Sequence, residues 1–320
     1  MTMPDQLGPK LAAPLFGEIC ILGLGLIGSS LARVIRLQNI ASSLICYDSD
    51  AAVQNRVAEL GLGSRVASNL AEAVAKADLV VLCVPVGANA ELAQAMAPHL
   101  KAGAIISDVG SVKSSVVSAI LPHLPPNVTL VPAHPVAGTE YSGPDAGFAT
   151  LFARRWCIVT PPPDTDQMAV DKVVNFWAAC GSNVEIMTPQ HHDQVLAITS
   201  HIPHLIAYNI VDTAAQLEQV TQSEVIKFSA GGFRDFTRIA ASDPTMWRDV
   251  FLNNREAVLE MLGRFNEDLT ALQRMIRFGD GEGLFALFSR TRAIRRSIIA
   301  VGQETAAPDF GRRQPETKID

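Results

Sequence analysis

The chain has little of what would place it outside a cell or inside a membrane. Among its 320 residues there are only five cysteines. Cys20, Cys46 and Cys83 fall inside apolar strand candidates, and Cys157 and Cys180 have no paired spacing. An odd, scattered set excludes a disulfide framework and any strong zinc signature, and its thiols are expected to stay reduced in a cytoplasmic protein. No run approaches the ~18 apolar residues of a membrane span. The opening MTMPDQLGPKLAAP has prolines and an acid but no continuous apolar core, so residues 1–14 read as a loose leader rather than a secretory signal. Residues 304–320 are polar and read as a frayed tail. Excess basic charge is absent too. A net charge of −6 and a pI near 5.7 give no footprint for nucleic acid. Charged residues make up 18% and hydrophobic ones 48%, so two domains with a sizeable core are within reach.

What is present begins at Glu18, with EICILGLGLIG. A short apolar run, 19–22, leads directly into Gly23-x-Gly25-x-x-Gly28, and a helix-compatible stretch, 29–36, follows. Strand, glycine turn and helix in that order form a dinucleotide-binding fingerprint. Gly23 permits the tight turn, Gly25 lets backbone approach a pyrophosphate, and Gly28 lets the helix pack on the strand. The free N–H groups of the helix start, at Leu26 and Ile27, face the phosphate charge. A second strand, 44–47, ends in Asp48, near the ~20-residue offset of an acid that binds the ribose hydroxyls of NAD.

Strand candidates cover 19–22, 44–47, 79–84, 104–107, 129–131, 157–160 and 183–186, with helical stretches at 69–77, 88–99 and 114–121 between them. Continuous apolar strands alternating with helices predict one doubly wound parallel sheet, a Rossmann-type domain over 15–187. From 188 the strand signals stop. Helical patterns run through 190–220, 223–228, 244–277 and 283–302. A mostly helical domain over 188–303 follows, apolar enough to suggest a homodimer formed through it.

Ligands of such sheets bind outside the carboxyl ends of the strands. Val84-Pro85 sits there, either alongside the dinucleotide or as a plain strand-ending turn. Ser111 and Lys113 follow the strand at 104–107, either in the site or as a helix cap and a solvated lysine. His134, in HPVAGTE, follows the strand at 129–131. Imidazole is the group best suited to take a proton near neutral pH, and a hydroxyl being oxidised must lose one. In the helical half, Ser200-His201-Ile202-Pro203-His204 lies on an apolar helix that Pro203 should kink. His201 and His204 share a face and suit a polar pocket wall. With His191 and His192 they match no strong metal-ligand spacing, so no metal is expected, and Asp193 reads as a cap. In GGFRDFTR, Arg234 and Arg238 suit recognition of a carboxylate, or salt bridges to Asp235 or Asp243.

These motifs in this order resemble the prephenate/arogenate (cyclohexadienyl) dehydrogenase family, over about residues 17–302. HPVAGTE, SHIPH and GGFRDFTR are far more specific than the glycine loop. The resemblance implies an enzyme of tyrosine synthesis that uses NAD to oxidise and decarboxylate prephenate to 4-hydroxyphenylpyruvate, or arogenate to tyrosine. It implies that His134 accepts the proton of the ring hydroxyl, that Ser111 helps orient that histidine and the ring, and that Arg238 grips a substrate carboxylate. Ser200, His201 and His204 would line the pocket. Thr139, Glu140, Gly231, Asp235 and Trp247 would surround its mouth.

Two rivals are weighed against this. A hydroxyacid dehydrogenase of similar two-domain plan resembles a pattern with a catalytic lysine on the first long helix of its second domain, and 188–216 contains no lysine. A nucleotide-sensing protein without turnover would keep the glycine loop but has no need of His134, Ser111 and Arg238 together.

Overall fold

The computed structural model describes residues 7–139, 141–221 and 230–300. Glu140, the helical stretch expected at 223–228 and the ends of both tails lie outside the described residues. The chain divides into two compact units, Met1–Met261 and Leu262–Asp320.

In the first unit the apolar runs form a parallel sheet of β1 (Phe16–Leu22), β2 (Ala41–Tyr47), β3 (Arg65–Val66), β4 (Leu79–Leu82), β5 (Ile105–Asp108) and β6 (Thr129–Leu130). The order is β3-β2-β1-β4-β5-β6. Two βαβαβ halves therefore meet between β1 and β4, and the reversal of strand order leaves a crevice at the carboxyl ends there. The helices that cover the sheet are α1 (Leu26–Gln38), α2 (Ala51–Glu59), α3 (Leu70–Val74), α4 (Asn89–Met96) and α5 (Ser114–Ile120). Alternation along β1 separates two cores. Ile19 and Ile21 pack with Leu31, Val34 and Ile35 of α1, while Cys20 and Leu22 pack with Val74, Ala93, Met96 and Ile120.

The expectation of one continuous sheet fails at Pro132. The Val131 N–H still bonds Ile106 on β5, but Pro132 has no donor with which to extend that ladder. The chain leaves the sheet, and β7 (Ala133–Pro135) pairs antiparallel with β8 (Trp156–Val159), which pairs parallel with β9 (Asn183–Ile186). The strands expected at 157–160 and 183–186 thus belong to a second, three-stranded sheet. Helix α6 (Gln167–Ala179) connects β8 to β9 and buries Phe176 and Trp177 against Phe152.

The helical half begins with α7 (Pro189–Leu196) and continues into α8 (Ile202–Thr221) through a π-helical turn, Ala197–His201. The kink expected from Pro203 takes this form. The Ile202 N–H bonds the Ala197 carbonyl five residues back, just before the proline that cannot donate. After α9 (Gly231–Thr237) comes α10 (Pro244–Asn253), capped by Asp243, whose carboxylate accepts from Met246 N. Asn254 (φ −114°, ψ 34°) breaks the pattern expected to run unbroken over 244–277. Beyond it lie α11 (Arg255–Phe278) and α12 (Gly281–Ala300). Among the described residues no helix is long and apolar enough to cross a membrane. All five cysteines are free, and burial pushes the Cys46 thiol up to about 12.

Candidate active site

The glycine loop has the form that the spacing predicts. Gly23 has φ 92°, and a Cβ there would stand 2.5 Å from the Cys83 carbonyl oxygen. At Gly28 a Cβ would stand 2.0 Å from the Gly23 oxygen and 3.2 Å from Ile21, so only glycine lets α1 rest on β1. Over Gly25 the space is open. Helix α1 starts there with no side-chain cap and no acid in its first turn, which leaves the N–H groups at Leu26 and Ile27 free for an anion. These features fit a dinucleotide. Asp48, at the end of β2, also holds the loop: its Oδ2 accepts from Leu24 N at 2.7 Å and its Oδ1 from Asp50 N at 3.0 Å. Val84 and Pro85 precede a short 3-10 turn, Val86–Ala88, that packs beside α10, where Asp249 lies against Gly87.

His134 is on a strand rather than after one. It sits opposite Ile158 in the β7–β8 ladder and is buried. Its Nδ1 is 2.8 Å from Nε2 of His192, and Nδ1 of His192 is 2.9 Å from Oδ1 of Asp193. This chain fixes the tautomers. Asp193 is ionised, its carboxyl held below the usual range by hydrogen bonds from His192 and from the amides of Lys113 and Ser114, which outweigh burial. A carboxylate only accepts, so His192 carries its proton on Nδ1 and presents Nε2 as an acceptor. His134 therefore donates from Nδ1, and its Nε2 keeps a lone pair. That nitrogen has no partner among the described residues, and they do not seal it from solvent. Both rings are neutral. Burial holds the His134 imidazole well below 6.5, helped by the positive charge available to His192, Lys113 and His201. Burial lowers His192 as well.

Two expectations are corrected here. Asp193 caps a helix that is not its own: Thr188 caps α7, while Asp193 accepts from Lys113 N at 2.7 Å and Ser114 N at 2.8 Å at the start of α5. Ser111 is thus relieved of capping, and His192 rather than Ser111 holds Nδ1 of His134. Lys113 is not solvated but fully buried, its Nζ 2.5 Å from Asp108 Oδ2 and 2.8 Å from the Ala133 carbonyl. Burial pushes the Asp108 carboxyl up and the Lys113 ammonium down, and the contact between them opposes both shifts.

The helical side converges on Trp247. His204 stacks on its ring at 3.6 Å, and His201 meets its edge at 6.1 Å. His204 donates from Nδ1 to the Ser200 carbonyl at 2.9 Å. Burial lowers its pKa, and the charge of Arg238 lowers it further. Arg234 pairs with Asp235 at 3.8 Å, in the open. Gly231 starts α9, and Thr139 is half-buried, its hydroxyl accepting from Tyr141 N.

A family model described as prephenate dehydrogenase, nucleotide-binding domain, matches residues 31–186, and one described as prephenate dehydrogenase, dimerization domain, matches 188–290. The chain belongs to the prephenate dehydrogenase family. Cyclohexadienyl dehydrogenase of Zymomonas mobilis is 43% identical over 88% of this chain and 96% of its own length. Prephenate dehydrogenase of Bacillus subtilis is 32% identical over 91% and 78%. Among solved structures, prephenate dehydrogenase of Aquifex aeolicus in complex with hydroxyphenyl propionate and NAD+ superposes with a TM-score of 0.83, at 32% identity, over 88% of this chain and 98% of that one. Synechocystis arogenate dehydrogenase superposes at 0.76, with 25% identity over 88% and 99%. Within this prephenate dehydrogenase fold, sequence reasoning missed the His192–Asp193 pair as partners of His134. The signal was present in His191-His192-Asp193, but nothing local shows that α7 faces β7.

Proposed function

We propose that this chain is an NAD-dependent dehydrogenase that oxidises and decarboxylates prephenate, arogenate or both. The observation that carries the reading is the Nε2 of His134, unpartnered among the described residues while Nδ1 is backed by His192 and Asp193. NAD would be held at Gly23, Gly25, Leu26, Ile27, Gly28, Asp48, Val84 and Pro85 and, when bound, would supply the hydride acceptor.

His134 Nε2 takes the ring hydroxyl proton as the carbon beneath it loses hydride. The imidazolium so formed keeps its Nδ1–H on His192, whose own proton rests on Asp193, so the new positive charge lies two hydrogen bonds from a carboxylate. The ketone withdraws electrons, the ring carboxylate leaves as carbon dioxide, and the electron pair closes an aromatic ring. The proton on His134 is then available to the phenolic oxygen. The half-buried Ser111 hydroxyl is available to the same ring oxygen. Arg238, with His204 and Ser200, holds a carboxylate, while His201, Thr139, Gly231 and Trp247 complete the pocket. The exposed apolar side chains of α11 and α12, such as Phe278 at 74% and Phe285 at 75% exposure, suit a homodimer contact, in keeping with the name of the second family model.

The test is NADH formation on mixing the purified protein with NAD and each substrate separately. Turnover of either supports the reading, and turnover of neither removes it.

A further inference from the structure

Asn254, at the break between α10 and α11, is 5% exposed. Its Nδ2 lies 2.9 Å from the Asp193 carbonyl and 3.1 Å from Nδ1 of His201. Two acceptors thus converge on one amide nitrogen. Asn254 can meet both only as a donor, so the facing Nδ1 of His201 carries no proton. His201 is fully buried, and burial holds its pKa down at about 4, so the ring is neutral with its proton on Nε2. That nitrogen makes no hydrogen bond among the described residues, although the Ser111 backbone works against the lowering of the pKa as an acceptor would. The next residue, Val112, is fully buried against Trp247 and Val250 of α10. Helix α10, whose Trp247 also meets His201, therefore packs on the short loop that carries the Ser111 hydroxyl.

We propose that Asn254 is a positioning residue that holds His201 with its proton on Nε2, directed at the backbone of Ser111, and so sets the Ser111 hydroxyl against the substrate ring. The inference rests on Ser111 acting in the proposed reaction. Asn254 touches neither substrate nor cofactor. It acts through His201, and its bond to the Asp193 carbonyl fixes which way the amide faces.

The experiment is nitrogen NMR of the ligand-free protein with labelled histidine, together with steady-state kinetics. Wild type should show His201 with its proton on Nε2, and Asn254→Asp, whose carboxylate accepts from Nδ1, should move that proton to Nδ1. Asn254→Ala should lower kcat roughly 10–100-fold, the scale seen when an outer partner that orients a functional histidine is lost, with KM for NAD within about twofold. In a His201→Asn background the same substitution should change kcat less than twofold. A proton on Nδ1 of wild-type His201, full turnover in Asn254→Ala, or two independent and multiplying losses would overturn the proposal. The tautomer reading needs no activity, so failure of the proposed reaction shows separately, as absent turnover in a wild type whose His201 tautomer is as described.

Discussion

At the scale of the residue, the role proposed for His134 depends on which imidazole nitrogen is open. Nε2 of His134 is the open one because Nδ1 is committed to His192. His134→Asn should keep the fold and NAD binding but lose turnover by roughly 10²–10⁴-fold, since an amide can bond the ring hydroxyl without taking its proton. The acid limb of kcat/KM should lie below the ordinary 6.5 of histidine, because burial disfavours the charged ring. An acid limb at or above 6.5 would contradict that environment. Arg238→Gln leaves a substrate carboxylate without its counter-charge, a loss on the order of 2–5 kcal/mol. It should raise KM for substrate sharply, with little change in KM for NAD or in melting temperature. An unchanged substrate KM would remove Arg238 from carboxylate binding. His134, Ser111 and Arg238 were legible as residue types in motifs. The partner of His134 was not, because 58 positions separate it from His192 and only the fold closes that distance.

At the scale of the element, a buried ion pair ties three pieces together. Lys113, at the start of α5, reaches Asp108 at the end of β5 and the Ala133 carbonyl on β7, next to His134. Lys113→Met leaves a buried carboxylate without its partner and should destabilise the fold by about 3–5 kcal/mol. Lys113→Met with Asp108→Leu should recover most of that stability in denaturant unfolding. Two independent, additive losses would show that the pair is not the cause. Five of the six parallel strands were legible because runs such as Leu79–Leu82 are apolar throughout, as strands buried on both faces must be, whereas the edge strand Arg65–Val66 is too short to show a pattern. The second sheet was not, because Ala133–Pro135 is too short to show a pattern and its partner follows only at Trp156. The break at Asn254 was likewise hidden inside a continuous helical pattern.

At the scale of the whole molecule, buried neutral histidines link stability to pH. His201 falls from 6.5 to about 4 on folding, so between those values the unfolded chain binds more protons. Its contribution, about 3 kcal/mol, is complete above 6.5 and lost as the pH falls toward 4. Burial shifts His134, His192 and His204 in the same direction. Melting temperature should therefore drop steeply on acidification through this window, and His201→Asn should make the drop shallower. A flat profile would contradict the buried, neutral state. The cofactor choice also belongs to this scale. Asp48 would repel a 2′-phosphate, and Ser49 and Asp50 bring no compensating arginine, so kcat/KM should favour NAD over NADP and Asp48→Ser should narrow the gap. The role proposed for His134 is that of base in an NAD-dependent oxidative decarboxylation. The most direct measurement follows NADH and carbon dioxide together after the wild-type protein and His134→Asn are mixed with NAD and prephenate or arogenate. Wild type should give the two products in equal amounts, and the variant should release them at least a hundredfold more slowly. Unequal products, or a variant as fast as wild type, would contradict it.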